Sequence, residues 1–158
     1  MGTLKDKEAV AKFNEKQKEL NSLPAIDYEA VNQTKWEYYR LLFRQDGEKT
    51  LSSKGFKEFF DANKEWLQPY AVFSYLRDAY KTPNFREWPK YSTYHAKEIE
   101  KMCQPETADY PHIALYFYIQ YHLHLQLLAA TQYAREQGVA LKGDIPIGIS
   151  RNLSLIHI

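Results

Sequence analysis

At 158 residues the chain is long enough for one ordinary domain with a single core. Its 21 Lys and Arg balance 20 Asp and Glu, so no net field steers it toward nucleic acid or an anionic membrane. One cysteine, Cys103, excludes an internal disulfide framework and reads as a small buried hydrophobe, and with no apolar run after the charged start Lys5-Asp6-Lys7-Glu8 the expected compartment is the cytoplasm.

Residues 4–20 alternate Lys and Glu around Val10, Phe13 and Leu20, the pattern of a largely solvated helix with one thin apolar stripe. Pro24 breaks it, and Asp27 is placed to cap a second helix from Tyr28 to about Phe43. Gln45-Asp46-Gly47 predicts a turn that ends it. Ser52 or Ser53 caps a third helix carrying Phe56, Phe59 and Phe60. Pro69 then suits the first turn of a fourth, through Tyr70, Phe73, Leu76 and Tyr80. Residues 82–93, with Pro83, Trp88 and Pro89, read as a loop, followed by a short helix from about Tyr94 to Met102 and a polar turn around Pro105. Aromatic residues make up 15% of the chain, and 13 of them are tyrosines. Such rings can stack on sugars, but most recur at helical spacing, which is the mark of packing.

From Ile119 to Leu127 apolar and polar residues alternate strictly, as in a strand. Yet residues 112–137 contain no Gly, Pro, Asn or Asp, a run far beyond the typical strand of about 5–6 residues. A helix is therefore expected, apolar on most sides and largely buried, with Gln120–His124 and His122–Gln126 as i,i+4 pairs. Gly138 stands at its left-handed C′ position. A short apolar strand follows at about 139–144. The chain is thus mainly α, five or six helices leading into one strand.

Two positions apart on a helix, His122 and His124 point about 200° from each other and cannot share a metal. His95 and His112 have no ligand-spaced partner, and nothing in the sequence calls for a cofactor. Asp144 is the candidate site residue. It closes the grammar of helix, Gly138, apolar strand, Gly143 and acid, with Pro146 beyond, and in α/β barrels binding and catalytic groups sit at the carboxyl ends of strands.

Gly138-Val139-Ala140-Leu141-Lys142-Gly143-Asp144-Ile145-Pro146-Ile147 resembles the G-[IV]-x-[ILV]-x-G-D-x-P-I element of glycoside hydrolase family 77, the 4-α-glucanotransferases or amylomaltases. Upstream, Ile26-Asp27-Tyr28 with Val31, Lys35 and Trp36 is similar to the helix after that family's V-D-Y element. Phe59, Trp66, Leu67, Tyr70, Ala71, Phe73 and Leu76 resemble a further family helix, and Trp88-Pro89 its W-P turn. The resemblance covers about residues 24–152.

What the resemblance implies is a (β/α)8 TIM barrel with large helical insertions, of which this chain is an internal fragment: residues 1–152 are part of the catalytic domain, entering the third barrel strand. A complete barrel needs about 250 residues. Asp144 resembles the substrate-binding acid at that strand's end and is not the nucleophile. The family's nucleophilic Asp, acid/base Glu and stabilising Asp lie on later strands, so no catalytic residue is expected in this chain. The implied partner is an α-1,4-glucan or maltooligosaccharide, not nucleic acid or membrane. Residues 153–158 depart from the family and are read as a non-native tail. The competing expectations are a stand-alone helical interaction module, and another barrel of the wider α-amylase type.

Overall fold

The computed structural model describes residues 2–144. Five α-helices occupy them: α1 (Lys7–Asn21), α2 (Tyr28–Leu51), α3 (Lys54–Tyr80), α4 (Ala96–Met102) and α5 (Tyr110–Glu136), with a 3-10 turn at Phe85–Glu87. The mainly α reading holds, and among the described residues there is no strand. The chain divides into two compact units between Ser53 and Lys54.

The first unit is an antiparallel helical hairpin. Asp6 caps α1 by accepting the backbone N–H groups of Glu8 at 2.9 Å and Ala9 at 3.1 Å. Asp27 caps α2, as expected, by accepting from Ala30 N–H at 2.9 Å. Phe13 meets Tyr38 edge to face at 5.1 Å, and the segment before α1 lies along α2. There Gln45 Oε1 accepts from Lys5 N–H at 2.8 Å, while its Nε2 donates to Thr3 C=O at 3.2 Å.

That contact corrects the expected turn at 45–47. Gln45 spends its side chain on Thr3 and Lys5, and α2 runs on through Gly47 to Leu51. Gly47 costs helix about 1 kcal/mol relative to Ala in the abstract. Here an added Cβ would lie 2.6 Å from Phe43 Cδ2, so the missing side chain is what lets the Phe43 ring lie over the helix. The Ser52 and Ser53 hydroxyls donate back to the last turn of α2, to Glu48 C=O at 2.8 Å and Thr50 C=O at 2.7 Å.

In the second unit α3 and α5 pack antiparallel. Phe56 and Phe59 meet Tyr121 at 5.5 and 5.4 Å, and Phe60 meets Phe117 at 5.2 Å. Toward the other end Tyr75 Oη donates to Asp109 Oδ1 at 2.7 Å, and Tyr116 Oη donates to Asp78 Oδ2. Pro69 does not begin a new helix. It is buried inside the single 27-residue α3, because apolar residues on both sides of it, from Phe56 and Phe59 to Val72 and Leu76, share one buried face. An interior proline opposes a helix by about 3 kcal/mol, and the continuous face overrides it.

Residues 82–95 strap across α3. Trp88 is buried, lies 5.4 Å from Phe73 and 5.6 Å from Tyr80, and its Nε1–H donates to Thr82 C=O at 2.9 Å. The strap starts from Lys81, whose φ of 59° ends α3 in the left-handed region. The helix reading of residues 112–137 holds, with bounds Tyr110–Glu136, but its burial is uneven. Ile113 to Tyr118 are all buried, whereas Leu123, Leu125, Leu127 and Leu128 are exposed. Gln120 donates to Tyr70 Oη at 3.1 Å, not to His124.

Trp88→Ala should destabilise the second unit by about 3–5 kcal/mol, the range for emptying a buried aromatic site. Asp27→Ala should cost the hairpin about 1 kcal/mol through the lost cap. Urea unfolding followed by circular dichroism measures both.

Candidate functional site

Asp144 is positioned by the end of α5. Gly138 adopts φ 72°, its N–H donates to Arg135 C=O at 3.0 Å, and Val139 N–H donates to Ala134 C=O at 2.8 Å. This pair of bonds is a Schellman closure, and it turns the chain sharply out of the helix. The expected strand at 139–144 is not formed: these residues have no regular structure, and Val139 and Leu141 are exposed. The physical reason is that a parallel strand draws its hydrogen bonds from neighbours, and no strand exists among the described residues. Asp144 itself is exposed, and a Cβ built on Gly143 meets nothing within 4 Å. The acid therefore has open space beside it. Ile145, Pro146, Ile147 and residues 153–158 lie outside the described residues.

The two histidines of α5 go to different places. His124 packs on Phe59 of α3 at 4.9 Å, while His122 meets Tyr118 edge to face at 4.4 Å. Among the described residues no group of three or more His, Cys, Asp or Glu could hold a metal ion. Cys103, at the end of α4, is buried, and burial, aided by the Glu100 charge, pushes its thiol up to about 12. A thiol so placed is neither a nucleophile nor a ligand at neutral pH.

Two features escaped the sequence reading. One is the pair of tyrosine–carboxylate bonds that seats α5. The bond to Asp109 pushes Tyr75 up to about 12, and burial and then the bond to Asp78 raise Tyr116. No local pattern announces such partners, since they lie 34 and 38 residues apart. The other is a small cleft, with a free volume of about 30 Å3, between α3, the strap and α4, with Phe73, Leu76 and Trp88 among its walls and His95 and Glu98 among its polar residues.

A family model for glycoside hydrolase family 77, 4-alpha-glucanotransferase, matches residues 2–154. The chain is 41% identical over 127 residues to 4-alpha-glucanotransferase DPE2 of Oryza sativa subsp. japonica, covering 80% of this chain and 13% of that protein. It is 30% identical over 158 residues to a 4-alpha-glucanotransferase of Chlamydia caviae, covering 96% of this chain and 29% of the relative. With that of Chlamydia pneumoniae the identity is 28% over 144 residues, covering 90% and 27%. The chain thus spans less than a third of the length of these relatives. No solved structure matches it significantly.

The raised thiol has a measurable consequence. Between pH 9, the ordinary thiol value, and about 12, the folded chain keeps the Cys103 proton that the unfolded chain releases. Stability is therefore full below pH 9 and falls as pH rises through this window. Tyr75 adds to the fall above pH 10. Cys103→Ala should flatten the decline between pH 9 and 10, read as the midpoint of thermal unfolding against pH, and an unchanged slope would contradict the assignment.

Proposed function

Because this chain belongs to glycoside hydrolase family 77, the 4-alpha-glucanotransferases, we propose that residues 1–152 are part of the catalytic domain of such an enzyme. In this reading α5 leads into the third strand of a (β/α)8 barrel, and Asp144 stands at that strand's carboxyl end. One observation carries it: the apolar helix α5, closed by Gly138, delivers the Gly143-Asp144 element into open space, inside a family match over residues 2–154. Residues 153–158 are assigned to a non-native tail, two residues of which the match reaches.

The reaction proposed for the whole enzyme is retaining transfer of α-1,4-glucan segments between maltooligosaccharides or between starch or glycogen chains. A carboxylate attacks the anomeric carbon and the glycosidic bond breaks, while a second carboxyl protonates the departing 4-oxygen. The same group then takes the proton of an incoming glucan's 4-hydroxyl, which displaces the carboxylate and restores an α-1,4 bond. Two carboxyl groups carry the chemistry and no cofactor enters it. Asp144 serves neither role; it accepts hydrogen bonds from the sugar ring at the cleavage subsite and fixes its position.

The compartment we propose is the cytoplasm, in keeping with a single, buried, unpaired cysteine. No described helix is long and apolar enough to cross a membrane. A stand-alone helical module is disfavoured by α5, whose second half leaves several large leucines in water.

The purified 158-residue chain should not convert maltotriose into longer and shorter oligosaccharides, since it carries none of the family's catalytic motifs. Residues 2–144, grafted in place of the corresponding segment of the Oryza sativa relative, should support that conversion. Asp144→Asn in the graft should lower kcat/KM by roughly a hundredfold, the scale of a lost transition-state contact. Transfer by the chain alone, or a graft indifferent to Asp144→Asn, would refute the reading. Chromatography of the oligosaccharide products decides.

A further inference from the structure

The cleft between α3, the strap and α4 holds chemistry that the fold leaves unused. Its inner wall is aromatic, with Phe73 and the buried Trp88. Its mouth is polar: Thr93, His95 and Glu98 line it and all three are exposed. His95 stands at the N-cap of α4, yet its side chain makes no capping bond. Among the described residues no side-chain hydrogen bond or ion pair engages Thr93, His95 or Glu98. Tyr94 lines the same mouth and is 42% exposed, so part of its ring stands free beside these polar groups.

The strap is strained at this point. Tyr91, also in the wall, has φ 69°, a left-handed backbone that opposes a bulky L residue. Residues held in this way gather at ligand clamps, where the packing around them maintains the strain. Lys90 Nζ lies 4.5 Å from the centre of the Tyr91 ring and covers one of its faces. Tyr94 is therefore the ring left to a ligand. The free volume of about 30 Å3 exceeds what one water needs, roughly 10–15 Å3, but cannot take in a whole sugar ring. It admits a hydroxymethyl-sized group, with the ring that bears it lying across the mouth. A pyranose has the matching chemistry: its C–H face packs on an aromatic ring, and its hydroxyls both donate and accept toward a carboxylate, an imidazole and a threonine hydroxyl. A charged ligand matches less well, because Glu98 and Lys90 lie close enough to attract one another.

We propose that this cleft binds one glucosyl unit of an α-1,4-glucan, with the hydroxymethyl group in the cleft, the ring on Tyr94 and the hydroxyls on Glu98 and His95. The choice of glucan rests on the family reading above. Asp144 has no part in this site, which anchors a glucan chain and does not take part in its cleavage.

The 158-residue chain contains the cleft and lacks the family's catalytic motifs, so binding can be read without turnover. Maltoheptaose titrated into it, followed by saturation-transfer NMR, should give a saturable signal. Tyr94→Ala should weaken binding about tenfold, the scale of a lost stacking contact. Glu98→Gln should weaken it several-fold through a poorer hydrogen-bond acceptor. Both side chains are exposed, so neither substitution empties the core. Trp36→Ala, on α2, should leave binding unchanged. An affinity lowered by Trp36→Ala, or unmoved by Tyr94→Ala and Glu98→Gln, overturns the proposal, as does the absence of saturable binding. If the cleft variants weaken binding as stated while the Oryza sativa graft transfers no glucan, the functional reading alone fails. If the graft transfers glucan and the cleft variants change nothing, this site alone fails.

Discussion

The antiparallel seating of α5 on α3 is the constraint from which the second unit follows. Its aromatic end, Phe56, Phe59 and Phe60 against Phe117 and Tyr121, removes large rings from water and supplies the gross stabilisation. Its polar end, where Tyr75 and Tyr116 donate to Asp109 and Asp78, contributes less energy but sets register, since a slip of one helix past the other breaks both bonds. The same contact holds Pro69 within a helix it would otherwise interrupt. It also gives the strap its floor, since Trp88 lies across Phe73 and Tyr80 of α3.

The seating ends with the first half of α5. Its second half emerges, Gly138 closes the helix sharply, and Asp144 beyond it is exposed with open space beside Gly143. The family match and the open space beside Gly143 are consistent with one another. In the function proposed above, the rigidity that a sugar-holding acid needs would come from strands outside residues 2–144. Burial of Cys103, by contrast, suppresses its thiol chemistry, and the two histidines of α5 pack on different neighbours, His124 on Phe59 and His122 on Tyr118.

Several expectations failed for one shared reason. Gln45-Asp46-Gly47 has turn chemistry, yet Gln45 finds Thr3 and Lys5 across 42 and 40 residues and the helix continues. Pro69 has the chemistry of a helix start, yet a buried face runs through it. Residues 139–144 have strand chemistry, yet a strand is a property of a sheet. In each case the local preference is worth about 1–3 kcal/mol, which one layer of packing can outweigh or a missing layer can leave unused.

What could be read from the sequence alone is what lies within a few residues along the chain. Asp27 as a cap, Gly138 as a left-handed terminus, the helix over residues 112–137 despite its alternation, and the family's G-D element are of this kind. They are legible because capping, left-handed backbone and uninterrupted helix propensity are short-range properties. The tertiary structure alone decided that α2 and α3 pass through Gly47 and Pro69, that Tyr75 and Tyr116 find carboxylates on or beside α5 and α3, and that only the first half of α5 is buried. Those outcomes depend on which surfaces meet, and burial couples residues that the order of the chain keeps apart.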